Sequence, residues 1–446
     1  MLCAAGQNRP ATSCRYWTPP RSAANPEHGG ADSMQSARLS SGNARDPTIR
    51  IAPAHLVVPG HLWYHVFLIF GEFCGVYLSD LALIQSSPSS IPAAWPGLTL
   101  SEFARACGQS REQAARIYKQ LMRSADARSL PVVSRSVESQ GTVKFCLPAG
   151  EYNGMPLETE SVLLPMTNAH GGRWYTLCVS SQIGCRMGCT FCQTGRMGLL
   201  ANLTAGHIVN QFLTARHLLK QAAEAPNAAR EPVAATAGSG VCRAGRLSRE
   251  DIRNVVFMGM GEPLDNFDAV VQAIRTLCDP AGIALPLSRI TVSTVGRIDG
   301  LRRLAALNLV GLKLAISISA ANDTLRNMIM PVNRAMPLAA LKRALLDFPR
   351  RPSTRFFIEY VLIADVNDSP AHAEELVRWC EGLPVKVNVI PYNPQQSAIY
   401  GVPTPERTIA FLETLRVRGI VAKRRTTIGQ DLMGACGQLG NAAQRR

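Results

Sequence analysis

From Trp174 onward, short apolar runs alternate with amphipathic stretches of helical period, and this alternation restricts the fold more than any other feature. Strand candidates are residues 177–180, 254–258, 290–293, 312–317, 356–362, 385–390 and 420–423. Helix candidates are residues 205–222, 268–277, 298–307, 338–348, 370–379 and 406–416. Continuous apolar runs suit strands buried on both faces, and their alternation with helices predicts a parallel sheet covered by helices. About six such units are too few to close an eight-stranded barrel. The expected class is α/β, an open partial (β/α)6 barrel.

The chain ahead of the barrel reads differently. Residues 98–122 carry a helical period, with Leu100, Phe103, Ala104 and Cys107 on one stripe and Ala114, Ile117, Tyr118 and Leu121 on another. Ser110 is a candidate N-cap between them. Residues 141–147 and 160–165 read as the two strands of a β-hairpin, with Gly150 and Gly154 marking the turn. The expected layout is a poorly ordered extension with an apolar segment over 1–95 and a small helical accessory module plus hairpin over 96–165. The barrel follows over 166–440, interrupted by an Ala-, Gly- and Arg-rich surface insertion over 224–248, and 441–446 form a tail.

Composition limits the setting. The stretch 51–71 is broken by Pro53, Pro59 and three histidines, and its purely apolar core around 66–70 is far shorter than the roughly 20 residues a membrane span needs, so no membrane is expected. The N-terminus has no charged start leading into an apolar core, so the 13 cysteines point to a reducing cytoplasm rather than to secreted disulfides. A formal charge of +15 makes a polyanion a natural partner, nucleic acid first among them. Lys423-Arg424-Arg425 and Arg302-Arg303 are candidate phosphate contacts; a solvated basic surface explains either tract as well.

Cys185, Cys189 and Cys192 fall at i, i+4 and i+7 just after an apolar strand. Three thiolates on so short a loop can hold three irons of a 4Fe-4S cluster and leave the fourth open, whereas an electron carrier normally supplies four. Structural zinc is the alternative, but such sites close with a fourth Cys or His. None stands at a suitable spacing, the closest downstream being His207 in a helix candidate. The C-x₃-C-x₂-C spacing with Phe191 before the last cysteine resembles the signature of the radical S-adenosylmethionine (SAM) enzymes.

Other motifs narrow the resemblance. They are Gly259-Met260-Gly261-Glu262-Pro263 after a strand, Ile290-Thr291-Val292-Ser293-Thr294, Leu314-Ala315-Ile316-Ser317-Ile318-Ser319, Asn388-Val389-Ile390-Pro391-Tyr392-Asn393 and Gly434-Ala435-Cys436-Gly437-Gln438-Leu439. In this order, over residues 98–440, the chain resembles the radical SAM rRNA (adenine-C2) methyltransferase family, of dual rRNA/tRNA specificity and related to adenine-C8 methylating enzymes. The resemblance implies a radical SAM barrel whose cluster ligands are Cys185, Cys189 and Cys192. It implies SAM contacts from Gly261, Glu262, Ser293, Ser317, Ile318, Ser319 and Asn393. It further implies that Cys436 is methylated, that Cys178 later forms a disulfide with it, and that Glu160 takes up a proton. Judged on type and position alone, Cys178 is core packing, Glu160 a solvated strand residue, and Cys436 either reactive or merely buried.

Implied cofactors are one 4Fe-4S cluster and SAM. Implied partners are RNA (rRNA, and tRNA by dual specificity), with the helical module as a docking element, and a one-electron donor such as flavodoxin or ferredoxin. A monomer is expected. Two positions depart from the family pattern: Ser319 where His is usual, and Ile428 where Arg is usual. They keep open a methylase acting at adenine C8 or on another RNA. A reading of a different class is a non-catalytic RNA-binding protein with a structural zinc loop.

Overall fold

The computed structural model describes residues 91–124, 132–138, 141–224, 252–395, 398–425 and 428–440. The expected extension up to residue 90, the insertion from 225 to 248 and the tail 441–446 lie outside the described residues.

Helices α1 (Leu100–Ala106) and α2 (Arg111–Arg123) precede strands β1 (Ser134–Val137), β2 (Val143–Tyr152), β3 (Met155–Thr167) and β4 (Arg173–Cys178). A small hairpin, β5 (Gln182–Cys185) and β6 (Gly198–Asn202), encloses helix α3 (Gln193–Met197). The chain continues through α4 (Ala205–Glu224), β7 (Ile252–Phe257), α5 (Phe267–Cys278), β8 (Ile290–Thr294), α6 (Ile298–Ala306) and β9 (Lys313–Ser317). It ends with α7 (Asp323–Ile329), α8 (Leu338–Leu346), β10 (Phe356–Leu362), α9 (Pro370–Cys380), β11 (Val385–Pro391), α10 (Pro405–Val417) and β12 (Ala422–Arg424).

The expected strands are all present. They form the parallel series β4-β7-β8-β9-β10-β11-β12 of one sheet that is not closed on itself. Near-continuous burial along β10 and β11 is what helices on one face and a filled interior on the other require. Among the described residues no helix is long and apolar enough to cross a membrane.

The hairpin β2–β3 belongs to the same sheet, because β3 pairs antiparallel with β4 and places Val162 opposite Cys178. Asn153 (φ 51°) and Gly154 (φ 75°) form its two-residue turn, the positive-φ pair that a tight hairpin demands. Gly150 does not share that turn: it stands inside β2, at the bulge between Pro148 and Glu151. Strand β1 adds an outer neighbour that the sequence did not announce, for all four of its side chains are exposed and show no apolar period.

Ser110 caps α2 as expected, accepting from the Gln113 N–H while Gln113 reaches back to the Ser110 N–H. Helices α1 and α2 pack through Phe103 and Tyr118, whose rings are 5.5 Å apart. The pair docks on the outer layer: Arg216 on α4 donates to the Met122 carbonyl, and Gln272 on α5 donates to Glu102.

Candidate functional site

Parallel strands bring their C-terminal ends to one rim. Cys178 ends β4, Ser293 and Ser317 lie at the ends of β8 and β9, and the Gly261–Glu262 turn and Asn393 follow β7 and β11. Because β3 runs against β4, Glu160 stands beyond Val162 at that same rim, where its carbonyl accepts from Ser180 Oγ at 2.6 Å.

The cysteine loop starts where β4 stops. Cys185 ends β5, and Cys192 precedes the first turn of α3. The loop is pinned by the Cys192 N–H to the Cys189 carbonyl (3.1 Å) and by the Thr190 N–H to the Ile329 carbonyl (3.0 Å). Met187, Phe191, Leu325, Ile329 and Met330 pack with Cys185 and Cys189 in an apolar cluster. Burial pushes both thiols far above the usual range, with neighbouring loop cysteines adding to the effect. Thiolates are stable in such a shell only beside cations that offset their charge, so these residues fit an iron cluster. Among the described residues no three Cys, His, Asp or Glu converge on a single-ion site. A cubane asks for a different arrangement, one thiolate for each of three irons.

Gly259 and Gly261 explain the glycine-rich turn. A Cβ at Gly259 would lie 2.7 Å from the Val179 carbonyl oxygen, and one at Gly261 (φ +100°) would lie 2.6 Å from Gln182 Cβ. The turn is thus pressed against the entry to the cysteine loop, where no side chain fits. Glu262 is buried, with its N–H donating to Gln182 Oε1 (2.8 Å) and its carboxylate accepting from the Leu264 (3.1 Å) and Val295 (2.9 Å) N–H groups. Burial pushes its pKa up to about 7 against the pull of those bonds and of Arg297. The Thr294 hydroxyl adds a third hydrogen bond, but no cation among the described residues offsets the buried charge at contact distance, and an ammonium such as that of SAM matches it. Asp265 ties the two loops together, pairing with Arg186 (2.5 Å) and with Arg297.

The remaining expected SAM contacts differ among themselves. Ser293 and Ser317 are half-buried at strand ends. Ile318 is wholly buried in the core. Ser319 is wholly buried with φ 50°; its hydroxyl accepts from the Val361 N–H and its carbonyl from Asn367 Nδ2, so the side chain is turned into the fold. Asn393 directs Nδ2 to the Cys436 carbonyl at 3.1 Å.

That contact introduces the C-terminal loop. Gln395 Nε2 and the Gln193 N–H both reach the Gly437 carbonyl (3.0 and 2.8 Å), and Thr194 Oγ1 reaches that of Leu439. Cys436 is half-buried, and both it and Cys178 are free thiols. The disulfide expected from the resemblance is therefore not formed here. Burial pushes the Cys178 thiol up to about 12, Cys436 adds to this, and Arg425 opposes it.

Arg425 closes the basic tract Lys423-Arg424-Arg425. Lys423 and Arg424 are exposed, but Arg425 turns inward, 3.6 Å from Glu359 and 3.7 Å from the Met258 sulfur. Cys436 above all, then Glu359 and Cys178, hold its guanidinium charged. Arg303, of the second tract, pairs with Asp268 and stacks 3.9 Å over Phe267. Two further residues gave no signal in the sequence. Arg326 is completely buried and donates to the Val295, Ser317 and Ile318 carbonyls and to Asn333. Lys144 pairs with Glu160 at 2.8 Å. Ile428 is half-buried at the start of the C-terminal loop.

Comparison with known proteins agrees with this geometry. Residues 179–380 match the model of the radical SAM superfamily. The chain is 39% identical to "Probable dual-specificity RNA methyltransferase RlmN 1" of Protochlamydia amoebophila, over 75% of this chain and 83% of the relative. It is 37% identical to the dual-specificity RNA methyltransferase RlmN of Syntrophobacter fumaroxidans, over 72% and 82%. Among solved structures, a radical SAM methyltransferase from Sphaerobacter thermophilus superposes with a TM-score of 0.65 at 34% identity, covering 78% of this chain and 99% of that one. An open parallel sheet, a three-cysteine loop beside a glycine-carboxylate turn, and relatives matched over most of their length place this chain in the RlmN family of radical SAM RNA methyltransferases.

Proposed function

We propose that this protein methylates a ring carbon of adenine, C2 in preference to C8, in rRNA and also in tRNA, by way of a methylated Cys436. The observation that carries the reading is the position of Cys436, held by Asn393 and Gln395 beside the cysteine loop and within electrostatic reach of Cys178 and Arg425. The relatives named as dual-specificity RNA methyltransferases support the substrate class.

An adenine ring carbon is electron-poor and cannot displace a sulfonium methyl as an amine does, so the methyl must first rest on the protein. Cys185, Cys189 and Cys192 would hold a 4Fe-4S cluster, and Glu262, Gly261, Ser293, Ser317 and Asn393 would surround SAM. Bound there, the pair supplies a 5′-deoxyadenosyl radical when a donor such as flavodoxin or ferredoxin delivers one electron. Cys436 takes a methyl group from one SAM as a thiolate, with the Arg425 guanidinium close by. Its S-methyl group then gives up a hydrogen atom at the expense of a second SAM, and the carbon bonds to the ring. The adenine leaves its stack to reach the rim. Glu160 accepts the ring proton as the adduct passes one electron to the oxidised form of that flavodoxin- or ferredoxin-type carrier. Cys178 attacks the Cys436 sulfur, so that an S–S bond forms as the S–C bond breaks and the departing carbon takes up the thiol proton to become the methyl group. The RNA departs methylated, and an external reductant reopens the disulfide. The reading places the enzyme in the cytoplasm as a monomer.

The departures at Ser319 and Ile428 favour a second reading, in which C8 or another RNA is the target. Mass spectrometry of nucleosides from RNA treated with enzyme, SAM and reductant separates the two methyladenosines. We expect 2-methyladenosine; 8-methyladenosine selects the second reading. A colourless, iron-free, zinc-bound protein after anaerobic purification would overturn both.

A further inference from the structure

The loop that carries Cys436 is gripped from two sides. Asn393, Gln395, Gln193 and Thr194 hold the side facing the cysteine loop. On the other side a single ion pair reaches both ends of the loop. Lys144 Nζ, 2.8 Å from Glu160 Oε2, also donates to the Met433 carbonyl at 3.1 Å. The same Glu160 oxygen accepts the Gly440 N–H at 3.2 Å. Cys436 lies between Met433 and Gly440, so the two charges bracket the thiol.

Both side chains project from paired strands rather than from loops. Lys144 opposes Val162 and Cys146 opposes Glu160, which makes the two charges diagonal neighbours on one face of the hairpin. Their side chains are only 16% and 7% exposed, so water offers little in place of the pair. A clamp made this way has a built-in release. Protonation of the carboxylate removes the charge that holds Lys144 and converts one acceptor oxygen into a hydroxyl.

We infer that Lys144 is a positioning residue, that its ion pair with Glu160 clamps the Cys436 loop, and that proton uptake by Glu160 opens the clamp. Only the source of the proton rests on the function proposed above. In that step the ring C–H proton passes to the Glu160 carboxylate, giving a neutral acid, and nothing is oxidised or reduced in the transfer itself. The loop is then freed after the ring bond has formed, when the Cys436 sulfur has to meet Cys178.

Hydrogen–deuterium exchange of the full-length, cluster-loaded protein tests this without any turnover. In Lys144→Met and in Glu160→Gln, which imitates the protonated acid, peptides covering 434–440 should exchange about tenfold faster or more than in wild type. Lys144→Arg should restore near-wild-type exchange, and the peptide containing β10 should stay unchanged throughout. Unchanged exchange of 434–440 in Lys144→Met, or Lys144→Arg as open as Lys144→Met, would overturn the clamp. Opening in Lys144→Met but not in Glu160→Gln would overturn release by proton uptake. Should Lys144→Met also loosen β10, Glu160→Gln compared with Lys144→Arg decides by the same criteria. Absence of methyladenosine from wild type, with the exchange pattern as stated, would remove the proposed function and leave the clamp standing.

Discussion

The cysteine loop and the Cys436 loop meet at one rim, yet they are held by different means. The first is fixed by backbone bonds, by Gly259 and Gly261 closing against its entry, and by an apolar shell around Cys185 and Cys189. The second is fixed largely by side chains sent from other elements: Lys144, Glu160, Thr194, Asn393 and Gln395. Packing of the first kind resists small displacements, whereas isolated polar bonds can be exchanged one at a time. Under the proposed chemistry the contrast has a purpose. Cluster thiolates meet only iron, but Cys436 has to meet a sulfonium methyl, a ring carbon and a second thiol in turn.

The sharpest way to break this contrast is to remove one side and assay the other. Cys436→Ala should lower RNA methylation by roughly 10³-fold or more while 5′-deoxyadenosine still forms, both measured by chromatography. Loss of both products together would mean that the two loops are not separable. Cys178→Ala, at the junction, should accumulate a covalent RNA–protein adduct visible on denaturing gels; free RNA alone, from protein that still cleaves SAM, counts against the thiol exchange.

Stability measurements compare the two kinds of attachment directly. Arg326→Met deprives the Val295, Ser317 and Ile318 carbonyls of a buried donor and should cost about 4 kcal/mol in urea unfolding. Lys144→Met, nearer to water, should cost about 2 kcal/mol. The reverse order would contradict the assignment of the firmer side.

Glu262 offers a pH test on protein free of cluster and SAM. Burial raises its pKa from 4.5 to about 7, so between those values the folded chain binds a proton that the unfolded chain has lost. Stability is therefore lost as pH rises through this window, by on the order of 3 kcal/mol, and Glu262→Gln should abolish that loss. Parallel urea-midpoint curves for the two proteins from pH 4.5 to 7.5 would refute it. The smallest effect is expected at Ile428. Restoring the family's cation with Ile428→Arg should tighten RNA binding a few-fold and steepen its salt dependence by just under one logarithmic unit. An unchanged salt slope would show that this position does not face phosphate.

How far each region could be read from the chain follows the same division. The parallel strands, the cysteine spacing, the Ser110 cap and the Gly259–Glu262 turn declare themselves locally, through apolar period, fixed spacing or backbone demand. Helices α3 and α7, of five and seven residues, are too short for a period to emerge, and β5–β6 is broken up by the loop it encloses. The inward turn of Arg425 cannot be told from its neighbours, because only the fold brings Glu359 and the two thiols beside it. Ser319 hides for the same reason: its partners, Val361 and Asn367, lie more than 40 residues away. Glu160 reads as solvated on type alone, and only the antiparallel pairing of β3 with β2 sets it against Lys144.

The contacts between hairpin and C-terminal loop also bear on how the protein is made. Lys144 and Met433 are 289 residues apart in sequence, and Glu160 and Gly440 are 280 apart. Every barrel strand is synthesised between these partners. During translation the cysteine loop, whose contacts are completed earlier, can settle while the segment bearing Cys436 is still inside the ribosome. The order of assembly thus puts the cradle first and Cys436 last, and under the proposed chemistry a nascent barrel passes through a stage in which its rim is shaped but cannot yet carry a methyl group.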